Sequence, residues 1–236
     1  MALILRVDVD KPYGRAGLFR KVISKLAEDY WFPQKVQSLG YLSHLADFLQ
    51  FCNSQKVSGY IYHRICTVPD DKIIKLLQEG KHMVGLHAEN TRNYQTFSEE
   101  LSKFKKMTSP LAVESFTKHG SGELKLGRNH YPPYEPGKYK EWAVKAHISY
   151  FFGNGICKSG NDFNNPDGYF ENMFWIEREY RDPDFFDFGK LIREAKKQDV
   201  PVLIHPCNYN ASRVVKEDFE ELVRFSRREN IEWKLL

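Results

Sequence analysis

The chain is poor in cysteine: Cys52, Cys66, Cys157 and Cys207 stand far apart and form no C-x-x-C pair. That spacing argues against a disulfide framework and against a cysteine zinc site, and predicts reduced thiols in a reducing compartment. No apolar run is long enough to span a bilayer. Neither sign of charge is in excess, since 35 Lys and Arg against 31 Asp and Glu leave +4 over 236 residues. So small and evenly spread a surplus points to neither nucleic acid nor an anionic membrane. The opening Met1-Ala-Leu-Ile-Leu-Arg-Val-Asp-Val-Asp fails as a signal peptide, its apolar part being short and interrupted by Arg6 and two aspartates. Internal repeats, low-complexity tracts and dividing linkers are also lacking. The expectation is one domain over residues 1–236, soluble and cytoplasmic.

Several chemistries are missing as well. There is no G-x-x-x-x-G-K-[ST] loop, no G-x-G-x-x-G, no G-x-S-x-G elbow, no H-E-x-x-H and no His-x-His. What is present is an alternation of short apolar, β-branched runs with longer amphipathic segments. The runs predict strands at Leu3–Val9, Val57–Ile65, His82–Ala88, Val113–His119, Ile148–Gly153, Met173–Glu179 and Pro201–His205. Between them apolar residues recur at spacings of three and four, as in Leu42, Leu45, Ala46 and Leu49, and a last helix is predicted over Lys216–Arg228. This order predicts an α/β fold, a parallel sheet covered by helices, open or closed into a barrel.

The first strand breaks the pattern of a sheet buried on both faces, which should read as continuously apolar. Side chains alternate along a strand, so Arg6, Asp8 and Asp10 share one face and Leu5, Val7 and Val9 the other. Buried carboxylates need a partner or a metal; the plain alternative is an Arg6–Asp8 ion pair with Asp10 exposed at the strand end. In the third strand His87 and Glu89 share a face, Gly85 leaves room beside them, and His82 lies opposite in a packing position. Imidazole and carboxylate suit zinc and similar ions. The last strand ends Leu203-Ile204-His205-Pro206, where the proline stops the strand. Titratable groups thus mark three strand ends, where parallel α/β folds build their sites. A Pro- and Gly-rich stretch, residues 120–137, carries Arg128 and His130 and is the natural site loop.

In their order, these motifs resemble the polysaccharide deacetylase family (carbohydrate esterase family 4, the chitin-deacetylase-like metal hydrolases). Val7-Asp8-Val9-Asp10 is similar to the family's Asp-Asp pair with one residue inserted. Gly80-Lys81-His82-Met83-Val84-Gly85-Leu86-His87 is similar to the lead-in of its H-x-x-x-H motif. Arg128 with Pro133-Tyr134, and Leu203-Ile204-His205-Pro206, are similar to two later motifs. The resemblance implies a distorted (β/α)7 barrel and a divalent metal, zinc with cobalt or nickel as substitutes. It implies Asp8 as general base, Asp10 and His87 as metal ligands, Arg128 orienting the base, and His205 as general acid. The chain departs from the family where the second ligand histidine would stand, because that position is Thr91. A third ligand must then come from elsewhere: His130 is the first choice, with His119 or Glu89 as alternatives.

The implied activity is hydrolysis of an acetyl or similar acyl group from an N-acylated sugar or small amide. Two further readings stand beside it, a non-catalytic carbohydrate-binding barrel that has lost its metal and a metal hydrolase of a non-sugar C–N bond.

Overall fold

The computed structural model of the chain describes residues 1–14, 17–30, 35–120, 130–156, 163, 169–180 and 187–236. Strands β1 (Leu3–Val9), β2 (Gly59–His63), β3 (Met83–Ala88), β4 (Val113–Lys118), β5 (Tyr150–Ile156), β6 (Tyr169–Trp175) and β7 (Val200–Ile204) close in sequence order into a barrel. Every neighbouring pair is parallel, including β7 against β1, where Val7 lies opposite Ile204. The α/β alternation therefore resolves as a closed (β/α)7 barrel rather than an open sheet. Helices α1 (Leu18–Tyr30), α2 (Ser43–Ser54), α3 (Asp71–Glu79), α4 (Tyr94–Thr108), α5 (Pro136–Lys145), α6 (Phe188–Ala195), α7 (Pro206–Ala211) and α8 (Arg213–Arg228) surround it. Their starts are set locally. Asp70 caps α3 by accepting from the Ile73 N–H, and Asn93 caps α4 through Thr96. Among the described residues no helix is long and apolar enough to cross a membrane.

Alternation divides the strand residues between two compartments. Leu3, Leu5, Val7 and Val9 of β1 join the core between barrel and helices, with Phe97, Phe104, Phe116, Leu191 and Phe219. Ile4, Tyr60, Tyr62, Phe152 and Phe170 form a separate cluster that fills the lower barrel. The C-terminal segment closes this end. Leu235 packs on the inner cluster, and the Leu236 N–H donates to the Tyr60 hydroxyl at 2.8 Å. Gly85 makes space for the same layer, since a Cβ there would stand 2.3 Å from a Tyr62 ring carbon.

Most strand ends fall within two residues of expectation, and β5 and β6 depart furthest. β6 begins at Tyr169, four residues before Met173. Tyr169 stacks on Phe151 with ring centroids 5.0 Å apart, and Phe170 on Phe152 at 4.9 Å, so aromatic pairs across β5 and β6 favour the earlier start. β5 runs on past Gly153 to Ile156, with a register shift between Phe152 and Gly155 against β6. The bulge turns the Gly153 carbonyl inward, where it accepts from Arg6 at 2.5 Å.

Candidate active site

The chemistry collects at the C-terminal ends of the strands, the rim where loops can add to a rigid frame. Arg6 and Asp8 of β1 point into the barrel above its aromatic layer. Arg6 is only 1% exposed, and its donors are spent on protein acceptors. Nε and Nη2 bond the two Asp8 oxygens at 2.9 and 2.6 Å, Nη2 also reaches Asn154 Oδ1 at 3.0 Å, and Nη1 serves the Gly153 and Phe152 carbonyls. A bidentate arginine fixes the orientation of Asp8 as well as its charge. Burial pushes the Asp8 carboxyl up, but the Arg6 charge, then His87, then the Arg6 hydrogen bond hold it below the usual carboxylate range. The ion pair of the plain sequence reading is thus present. Asp10 is not left to solvent beside it.

Asp10, just past β1, meets histidines from two other strands. His87 Nε2 lies 3.1 Å from Asp10 Oδ1 and 3.6 Å from Asp8 Oδ2, while His119 Nε2 lies 3.6 Å from Asp10 Oδ1. His119 follows β4, whose pairing puts Thr117 opposite His87, so two residues further the chain returns to the same inner face. Burial pushes Asp10 up as well, yet His119, the hydrogen bond from His87 and the charge of His205 hold it well below the ordinary value. Donors about 2.0–2.1 Å from a tetrahedral ion are separated from one another by roughly 3.3 Å. The 3.1 and 3.6 Å separations bracket that value, and both histidine nitrogens converge on the same Asp10 oxygen, Oδ1. Asp10, His87 and His119 therefore fit a divalent metal.

The sequence makes His130 the first choice of third donor. Here His130, buried, groups with Glu89 and His119 instead of with Asp10 and His87. The donor that joins Asp10 and His87 is His119, the second choice. Glu89 Oε1 is engaged by the Arg64 guanidinium at 2.6 Å. Thr91 is fully buried and belongs to neither group. Arg128 lies outside the described residues, and the orienting contact to Asp8 that the resemblance gave it is made by Arg6.

His205, directly after β7, faces the same centre with Nε2 3.8 Å from Asp10 Oδ2. Its other nitrogen, Nδ1, is 2.9 Å from Glu177 Oε1, which also accepts the His205 backbone N–H at 2.8 Å. Burial works against a charged imidazole. Glu177, by its charge and hydrogen bond, together with Asp10 and Asp8, overcomes burial and raises His205 to about 9. Trp175 packs edge-on against the ring, centroids 6.0 Å apart. Glu177 and Arg64 are site residues the sequence reading missed. Inner-face parity was available for both, through Trp175 to Glu177 and through Tyr60 and Tyr62 to Arg64.

What the fold and rim define is a parallel barrel with a carboxylate–histidine centre that has Asp8, paired with Arg6, and His205, paired with Glu177, beside it. No family model matches the chain, and no curated protein matches it. Six solved chains do. One is the polysaccharide deacetylase Bc1974 from Bacillus cereus, at 10% identity over 99% of this chain and 91% of that one, TM-score 0.46. Another is the catalytic domain of peptidoglycan N-acetylglucosamine deacetylase from Eubacterium rectale ATCC 33656, at 11% identity over 99% and 88%, TM-score 0.48.

Proposed function

We propose that the chain is a metal-dependent hydrolase of non-peptide carbon–nitrogen bonds, removing an acetyl or similar acyl group from an N-acylated sugar or related small amide. The observation that carries this reading is the convergence on one rim of three metal-type donors, Asp10, His87 and His119, with the Asp8 carboxylate and the His205 imidazole beside them. Asp10, His87 and His119 would hold the ion, zinc in the first instance. When bound, such an ion polarises the acyl carbonyl and lowers the pKa of water.

The protein's own groups divide the proton work. Asp8 accepts the proton of the attacking water, and the two bonds from Arg6 keep its oxygens ionised and aimed. His205 gives its proton to the departing nitrogen, which is a poor leaving group as an amide anion. Glu177 supports that role by holding Nδ1, so the proton offered to the site is the one on Nε2. The pKa values of base and acid are thus driven apart, by Arg6 for Asp8 and by Glu177 for His205.

The test is metal analysis of protein purified without chelator, coupled to amine release from N-acetylated amino sugars. One equivalent of zinc, cobalt or nickel, lost together with turnover in Asp10→Ala, His87→Ala and His119→Ala, is the expected result. Metal-free protein that retains sugar affinity contradicts it and favours a binding barrel. Turnover of simple amides with none on acetylated sugars moves the substrate to a non-sugar C–N bond.

A further inference from the structure

Arg64, the residue after β2, is a buried arginine whose contacts run between the proposed ligand Asp10 and Glu89. Nη1 donates to the Asp10 carbonyl at 2.6 Å and Nη2 to Glu89 Oε1 at 2.6 Å, with Glu28 Oε1 of α1 at 3.7 Å. The same turn reaches β1 again, since the Thr67 hydroxyl donates to the Val9 carbonyl at 2.8 Å. Glu89 is held at its backbone too, where Glu100 accepts from the Glu89 and Asn90 N–H groups. Glu89 Oε1, so fixed, faces His119 Nδ1 at 3.5 Å, while Nε2 of that ring faces Asp10. The His119 N–H bonds the Ala88 carbonyl at 2.8 Å, tying the histidine's backbone to the end of β3, directly before Glu89.

A neutral imidazole carries one proton and one lone pair, and the carboxylate on one nitrogen decides which is which. We propose that Glu89, braced by Arg64, is a positioning residue: it keeps the His119 proton on Nδ1 and leaves the Nε2 lone pair for the metal. This assignment rests on the metal-hydrolase reading and extends it to residues outside the ligand set. It also decides between the two donor groups. A second ion held by Glu89, His119 and His130 would need the Nδ1 lone pair, which a neutral His119 cannot supply while Nε2 serves the first. The guanidinium 2.6 Å from Glu89 opposes a second cation there as well. The two groups are thus alternatives on one ring, and Arg64 selects the first.

The experiment uses the whole chain with Zn2+ as probe. In zinc-loaded wild type, histidine side-chain 15N spectra show His119 bound through Nε2 with the proton on Nδ1, at one equivalent per chain. Glu89→Gln lowers zinc affinity by about 10- to 100-fold and alters the visible spectrum of the Co2+ form. Glu89→Asp keeps the charge opposite Arg64, so it folds even if the glutamine variant does not, and its spectrum lies between the two. Binding through His119 Nδ1, two zinc equivalents, or unchanged affinity and cobalt spectrum in Glu89→Asp and Glu89→Gln overturns the assignment alone. A wild type that takes up no zinc overturns the metal reading and this assignment with it.

Discussion

Replacing Arg6 by methionine separates what the barrel's buried charges do for stability from what they do for chemistry. The change removes both bonds to Asp8 and the donors to the Phe152 and Gly153 carbonyls and Asn154. Asp8, 2% exposed, is then left with His87 and His205 as its polar neighbours. Breaking a buried pair on one side typically costs about 3–5 kcal/mol. The sign with pH follows from Asp8, whose folded pKa lies below its ordinary value because of Arg6. The pair's stabilisation is therefore present above the unfolded carboxylate pKa and disappears as pH falls through the folded one. In the variant, burial dominates and Asp8 protonates more readily, so the loss relative to wild type is greatest near neutrality and shrinks in acid. The double variant Arg6→Met/Asp8→Leu removes both charges. Its stability should return to within about 2 kcal/mol of wild type, the remainder being the orphaned Gly153 carbonyl. Urea unfolding at pH 7.5 and pH 5, read by tryptophan fluorescence, gives these differences. The double variant should be folded and without turnover. A single variant losing less than about 1 kcal/mol, or an active double variant, refutes the reasoning.

Other outcomes follow from the same geometry. Glu177→Gln removes the main partner that raises His205 to about 9, so the alkaline limb of kcat/KM moves down and activity at pH 8 drops roughly tenfold; an unmoved limb argues against His205 as the acid. His82, buried, takes the Gly59 N–H on Nδ1 and meets Asn53 of α2 through Nε2. Burial lowers it from 6.5 to about 4. Its folded pKa being depressed, the stabilisation it gives is complete above pH 6.5 and lost as pH falls toward 4, by roughly 3 kcal/mol in all. His82→Asn should flatten the acid limb of the stability profile, with turnover unchanged. His119→Ala should abolish tight zinc binding, whereas His130→Ala should leave one equivalent bound.

The strands were legible because barrel strands buried on both sides are short apolar runs, and β1 stood out because Arg6, Asp8 and Asp10 interrupt one. Period-two alternation sufficed to put these three on one face. Local pattern could not rank His119 above His130, since the distinction depends on β3–β4 register, with His87 opposite Thr117. Glu177 shares its parity with Trp175, but the misplaced β6 concealed its position at the rim. Placing that strand four residues late put Glu177 inside it, when it lies beyond the strand end and turns back to His205. Arg64 shares the inner face of Tyr60 and Tyr62 but carries no motif, and parity alone does not show that its guanidinium meets Asp10 and Glu89.

The most direct test of the central claim is the structure of crystals soaked in zinc, read from anomalous scattering at the zinc edge. One ion is expected at about 2.0–2.2 Å from Asp10, His87 Nε2 and His119 Nε2, with Asp8 and His205 beside it and uncoordinated. An ion held by His130 in place of His119, or no ion on this rim at saturating zinc, contradicts it.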